Sequence, residues 1–280
     1  MSNIDLHIHT TASDGTDSPI EVVRKAASIG LSAISVTDHD SVSGVSAAKE
    51  AGRQLGVEVI PGIEVSSDYL TENVHILGYF IDIHSPAMRP VLDWVKNERV
   101  ERNEKVADML RRDGFDITID ELYREYPGSV IGRPHFCELL MRKGYVNSIK
   151  EGFDRYLGEG MPYYLPKRRI SIAKAVETIV AAGGVPVLAH PFLYHYDEPE
   201  LITLIETAKD LGIRAVEVYY SLFYKEQTDW LLRMADKYGL GISGGSDYHG
   251  TRKPHISLGT GCNNNLAIPY EVLENLKKLK

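Results

Sequence analysis

Short β-type runs alternate with helical patterns along most of the chain, and the side chains able to bind a metal sit where those runs end. Asn3–His9 (NIDLHIH) alternates, with Ile4, Leu6 and Ile8 apolar, and reads as a strand. Ser18, followed by Pro19 and with Glu21 three residues on, forms a capping box that opens a helix closed at Gly30. Ser32–Thr37, Val57–Val65 and Asn73–Phe80 read as further strands, with a helix at Ser43–Gln54. From about Pro86 to Pro166 the alternation stops. Leu92, Val95, Val106, Met109 and Leu110 form one helical stripe there, and Ile119–Tyr126, Arg133–Lys143 and Ser148–Leu157 read as shorter helices. The alternation resumes with helices at Ser171–Ala182, Pro199–Leu211 and Lys225–Tyr238, and strands at Val185–Ala189, Ala215–Tyr219 and Leu240–Ser243. About seven strands so arranged predict an α/β fold on a parallel sheet or barrel. Residues 1–85 and 166–280 are expected to form it, interrupted by a mostly helical insertion at 86–165.

The strand ends carry the chemistry. His7 and His9 end the first strand, with Asp14 in the loop after it, and His39 follows the second within Asp38-His39-Asp40. Glu64 ends the third, His75 lies within the fourth, His190 ends the strand after the insertion, and Asp247 and His249 follow the last. On the C-terminal face of a parallel barrel such positions converge, however distant in sequence. His7 and His9, two apart on a strand, point to the same side. A set mixing imidazole and carboxylate suits Zn, Mn or Fe and is too rich in nitrogen for Mg or Ca. Six histidines, two aspartates and one glutamate exceed the four ligands of a single tetrahedral zinc. They suit two or three divalent metals bridged by carboxylates. Taken singly, each motif has a plainer reading: TDHD as a helix cap, with Asp40 or Ser41 ahead of Ser43, and GSDYHG as turn chemistry. Ligand residues at five separate strand ends favour the metal cluster.

Composition removes several classes of partner. The 280 residues include 31 Lys+Arg and 39 Asp+Glu, a net charge of −8, which argues against an extended nucleic-acid surface but not against a local basic pocket. With 43% hydrophobic residues the chain is too apolar to stay disordered. No apolar run approaches the roughly 18–20 residues that span a bilayer, and the N-terminus lacks the basic start and apolar stretch of a secretory signal. Two cysteines, Cys137 and Cys262, with no CxxC pair, fit a reducing cytoplasm.

DLHIHT (5–10), DGT (14–16), TDHD (37–40), GIEVS (62–66), VHILGY (74–79), AHP (189–191) and GGSDYHG (244–250) follow one another in an order that resembles the PHP (polymerase and histidinol phosphatase) metal-dependent phosphoesterases. The resemblance implies a distorted (β/α)7 barrel holding two or three Mn, Fe or Zn ions. It implies His7, His9, Asp14, His39, Glu64, His75, His190, Asp247 and His249 as their ligands. The insertion, with GRPHF at 132–136, is similar to that of stand-alone bacterial members acting on nucleotides or short RNA; histidinol-phosphate phosphatases and polymerase-associated domains share the metal motifs without it. The expected activity is hydrolysis of phosphate esters of nucleotides or short oligonucleotides, as a nucleotide phosphatase or 5′-3′ exoribonuclease. Hydroxide generated at the metals attacks phosphorus.

Other side chains are expected to serve the substrate. His190 or Asp247 is a candidate donor of the leaving-group proton. Arg133 and His135 in GRPHF are candidate phosphate contacts, because a guanidinium grips phosphate through two hydrogen bonds; the plainer reading is a helix start with Pro134 in its first turn. Arg99 and Arg102 fall in the centre of the 92–109 stripe, where they either enter a cleft or snorkel at a solvated edge. Lys167-Arg168-Arg169 reads as a surface turn, and YYSLFY at 219–224 as core packing before base stacking. Competing functions are an amidohydrolase on a related barrel, disfavoured by Glu64 where those sites use a strand-end lysine, a histidinol-phosphate-type phosphatase, and a non-catalytic metal-stabilised domain, which a missing ligand would favour.

Overall fold

In the computed structural model, which describes residues 3–70, 72–166 and 168–280, the alternating segments form a nine-stranded sheet that nearly closes on itself. Its strands are β1 (Asn3–Ile8), β2 (Leu31–Val36), β3 (Glu58–Tyr69), β4 (Glu72–Tyr79), β5 (Ile170–Ser171), β6 (Val185–Leu188), β7 (Ala215–Tyr220) and β8 (Gly241–Gly245), with the short β11 (Ile268–Pro269) beside β1. Two further short strands, β9 (Ile256–Ser257) and β10 (Gly261–Cys262), pair only with each other. β1, β2 and β3 run parallel, as do β6, β7 and β8. β8 returns to β1: the Asp247 N–H donates to His7 O at 2.8 Å and the His9 N–H to Tyr248 O at 2.9 Å. Gly245 permits this closure, since a Cβ there would lie 2.3 Å from the His7 nitrogen.

One strand departs from the expected parallel order. β4 is antiparallel to both β3 and β6. β3 continues to Tyr69, beyond the expected end at Val65, and β4 begins at Glu72. That leaves a hairpin link and no room for the dozen or so residues of a parallel crossover. The reversal matters for the site. Because β4 runs the other way, His75 in its first half lies opposite Ser66, at the end of the barrel where the parallel strands finish.

Helices cover the sheet through apolar stripes. α1 (Pro19–Ser28) and α2 (Val45–Leu55) bury Val22, Val23, Ala26, Ala48 and Ala51 against Ile8, Ile34 and Val36. α1 has the expected capping box, with the Ser18 N–H donating to Glu21 Oε2 at 2.7 Å. The insertion consists of α3 (Met88–Arg112), α4 (Ile119–Glu125), α5 (Arg133–Arg142) and α6 (Ile149–Gly152), the last running into a π-helical turn at Phe153–Leu157. It has its own apolar cluster, including Val106, Leu110, Leu122, Phe136 and Leu140. α7 (Ile172–Ala181), α8 (Glu198–Asp210) and α9 (Lys225–Tyr238) cover the second half of the sheet, and α10 (Tyr270–Lys277) packs Val272, Leu273 and Leu276 against Ile4 and Leu6.

The insertion is tied to the loop after β1. The Ser129 hydroxyl donates to Thr11 O at 2.6 Å, and Arg252 donates to Asp14 O at 2.7 Å while pairing with Glu138 of α5. Among the described residues no helix is long and apolar enough to cross a membrane.

Candidate metal centre

The strand ends bring all nine predicted ligand residues together. Four overlapping groups hold ligand atoms within 4.8 Å of one another: His9, Asp14, His39 and His249; His7, Glu64 and His190; His7, His9 and Asp247; and His39, Glu64 and His75. Glu64 occupies the middle. Its Oε2 lies 2.8 Å from His39 Nδ1, 3.2 Å from His9 Nε2 and 3.4 Å from His7 Nε2. Its Oε1 lies 2.7 Å from His75 Nδ1 and 2.9 Å from His190 Nε2. Asp14 Oδ1 and Asp247 Oδ1 each lie 3.3 Å from a His249 ring nitrogen.

The donor set fits divalent cations on a specific observation. His7 Nε2, His9 Nε2, His39 Nδ1 and Glu64 Oε2 are buried and make no hydrogen bond, although they crowd one small space. Buried polar atoms are normally satisfied, and imidazole and carboxylate donors that converge on one space suit a divalent cation. Burial holds the His75 and His249 imidazoles near 4, well below the ordinary histidine range, and so neutral. Burial also disfavours charge on His9, but the facing carboxylates of Asp247 and Glu64 more than offset it and raise that ring to about 9. The carboxylates therefore draw positive charge into the cluster.

A ring of buried groups orients these side chains. Glu217 on β7 accepts from His7 Nδ1 at 2.9 Å and from the His190 N–H at 2.8 Å. Asp38 accepts from the Thr10 N–H at 2.8 Å and the Ser13 hydroxyl at 2.6 Å, which pins the loop bearing Asp14. Asp247 Oδ2 accepts from the Tyr220 hydroxyl and from Lys253 Nζ, both at 2.6 Å. Asp40, His190 and Asp247 take φ values of +53°, +26° and +57°. Such left-handed backbone costs about 1–3 kcal/mol per residue and persists where surroundings impose it. TDHD is not a helix cap: α2 begins after Gly44 with no side-chain cap, and Asp40 instead accepts from the Ser66 N–H at 2.9 Å.

A cavity of about 150 Å³ opens over the cluster. Asp14, His39 and His75 face it from the barrel, and Arg99, Arg102 and Arg133 from the insertion. Arg99 is paired with Asp40. Arg102 is buried, and its guanidinium donates to Asn103 Oδ1 at 2.7 Å. Burial, reinforced by Arg99, Arg133 and Arg169, pushes it down to about 9. Arg133 donates to Leu157 O at 3.3 Å and lies over the Tyr164 ring. Among the described residues neither Arg102 nor Arg133 has a carboxylate within ion-pair distance.

Three residues expected to serve the substrate do not line the cavity. His135 is 1% exposed and does not line the cavity. Its Nδ1 accepts the Gly132 N–H at 3.0 Å and its ring meets Tyr126 edge-on, so the imidazole caps α5. His190 and Asp247 lie in the cluster and are not part of the cavity lining. In YYSLFY, Tyr220 and Phe223 pack in the core, whereas Leu222 and Tyr224 are exposed. Of the basic run, Lys167 lies outside the described residues, while Arg169 is no surface group: it lines the cavity and pairs with Asp68 at 2.8 Å.

The family model for the PHP domain matches residues 5–240. The chain belongs to the PHP domain family. A Haemophilus influenzae relative named 5′-3′ exoribonuclease is 34% identical over 245 residues, covering 88% of this chain and 89% of its own. A 3′,5′-nucleoside bisphosphate phosphatase of Chromobacterium violaceum is 34% identical over 251 residues, 89% of this chain and 88% of its own. In structure the PHP chain superposes with a TM-score of 0.88 on an amidohydrolase from Chromobacterium violaceum with bound sulfate and no metal. That protein is 31% identical, with 99% of this chain and 96% of the other covered.

Sequence reasoning missed Glu217 and Arg169 in this PHP site. Glu217 had a signal, as the one charged residue in the apolar strand AVEVYY. Arg169 had none, since its basic run looks like any solvated turn.

Proposed function

We propose that this PHP protein hydrolyses phosphate esters of nucleotides or short RNA. The observation that carries the proposal is a pair of guanidiniums, Arg102 and Arg133, without carboxylate partners, facing a cluster of nine metal-ligating side chains across one small cavity. Arg102 is buried, and a buried cation left without a counter-charge is costly; an anionic phosphate between the two walls removes that cost. Both curated relatives act, by their names, on nucleotide or RNA phosphates.

The nine residues are proposed to hold two or three Mn, Fe or Zn ions, with Glu64 in the middle of the set. When bound, such ions acidify a water toward neutral pH and neutralise charge on phosphoryl oxygens. Arg102 and Arg133 bind the phosphate from the insertion side, and Arg99, held by Asp40, completes that wall. Asp247, held by Tyr220 and Lys253, and His190, beside Glu64, act as ligands, and neither reaches the cavity as the proton donor expected of them. Residues 86–165 act as a unit that roofs the site, with Arg252 as its strap. Cys137 and Cys262 are free thiols, in keeping with a cytoplasmic setting. An amidohydrolase reading gains only the name of one structural neighbour; β3 presents Glu64, not a lysine, to the centre.

The test is a screen of metal-loaded protein against nucleoside 3′,5′-bisphosphates, short 5′-phosphorylated RNA and p-nitrophenyl phosphate. Phosphate or nucleotide release that Arg133→Ala lowers roughly 10- to 150-fold, with metal content unchanged, supports the proposal. No hydrolysis of any of these esters overturns it.

A further inference from the structure

A second, larger cavity adjoins the one over the metal centre. Its volume is about 410 Å³ against about 150 Å³, and the two share Arg99 and Val130 as a wall. Pockets that bury an organic ligand of drug size run from about 300 to 1,000 Å³. By that measure the smaller cavity accommodates phosphate without a nucleoside, and the larger one is of nucleoside size.

The lining of the larger cavity is apolar and aromatic on one side. Val42 comes from the loop after His39, Leu92 and Val100 from α3, Ile131 from the segment before α5, and Tyr123 from α4. Leu92, Lys96, Arg99 and Asn103 recur at three- and four-residue spacing, so a single face of α3 serves both cavities. Tyr123 and Val100 belong to none of the hydrophobic clusters. Tyr123 is 39% exposed and, among the described residues, makes no hydrogen bond or ring contact. The fold makes little use of that ring, which stands in a concave space one side chain away from a cationic phosphate site.

We infer that this groove receives a nucleoside covalently joined to the phosphate at Arg102 and Arg133, with its base against Tyr123. The inference rests on the proposed hydrolysis of nucleotide or RNA phosphates and adds the place where the base is held. Sugar phosphates and alkyl phosphates lack the group that fills the groove.

The test compares metal-loaded wild type, Tyr123→Ala and Tyr123→Phe on three substrates: a 5′-phosphorylated RNA dinucleotide, its abasic counterpart and p-nitrophenyl phosphate. Stacking of one base is worth about 5- to 150-fold. Tyr123→Ala is expected to lower kcat/KM on the dinucleotide by that factor, mainly through KM, with Tyr123→Phe restoring it and the abasic substrate indifferent to all three. Equal kcat/KM for wild type and Tyr123→Ala on the dinucleotide overturns the groove, as does an equal loss on the abasic substrate. Wild type that cleaves only p-nitrophenyl phosphate overturns the groove and the nucleotide substrate with it, leaving only phosphate-ester hydrolysis as such. Failure to cleave any of the three overturns both.

Discussion

His7 Nδ1 lies 2.9 Å from Glu217 Oε1, with both side chains sealed from solvent. The other oxygen of the same carboxylate accepts the His190 N–H at 2.8 Å. One glutamate on β7 therefore holds the ring of one candidate ligand on β1 and the backbone of another just after β6. A carboxylate at Nδ1 calls for the ring proton there, which leaves the Nε2 lone pair for a metal. His7 Nε2 is one of the buried nitrogens with no hydrogen-bond partner at the centre.

Glu217→Gln should therefore weaken metal binding while leaving the fold in place. Loss of such a supporting carboxylate typically costs 10- to 100-fold in affinity. Competition against a fluorescent chelator measures it directly. Unchanged affinity would reduce Glu217 to a space-filling residue of the barrel interior.

Arg102 gives a prediction with two opposite signs. Its guanidinium is buried among Arg99, Arg133 and Arg169, and its hydrogen bonds run to the neutral Asn103. Arg102→Met removes a buried charge without a carboxylate partner, so thermal stability of the phosphate-free protein should hold or rise. The same variant should lose about 10- to 150-fold in kcat/KM on a phosphate ester. A fall in both stability and activity would make Arg102 a structural residue.

How much of this was legible in the sequence depended on range. His7 and His9 could be placed on one side of β1 from their spacing alone, because strand geometry is local. The position of Arg102 in the α3 stripe was equally legible. Whether that stripe entered a cleft or met solvent was decided by how α3 docks on the barrel, which no local pattern encodes. The direction of β4 hung on the short link after Tyr69, which strand and helix signals alone do not resolve. β11 pairs with β1 through two residues, Asn3 with Pro269 and Ile4 with Ile268, too short a run to leave a periodicity. GRPHF shows the same limit. Pro134 correctly marked a helix start, but only the packing of α5 decided that Arg133 faces the cavity and His135 faces inward.

His135 leads to a pH-dependent stability difference. Burial lowers its imidazole from 6.5 to about 4 in the folded chain. The unfolded chain therefore takes up the proton first as pH falls, and folding loses stability below about 6.5 until the folded group titrates near 4. At pH 5 this penalty is about 2 kcal/mol. His135→Gln keeps a side-chain acceptor for the Gly132 N–H and removes the titration. Chemical denaturation at pH 7.5 and pH 5 should show wild type losing about 2 kcal/mol more than the variant between the two. Equal losses would contradict the assignment.

The most direct measurement is phosphate-ester hydrolysis followed as Mn, Fe or Zn is added back, in counted equivalents, to protein stripped of metal. Nine convergent ligands predict that the stripped protein is inactive and that turnover climbs to a plateau only as the second or third metal per chain is bound. Full turnover by the stripped protein, or a plateau reached with a single metal, would contradict the account.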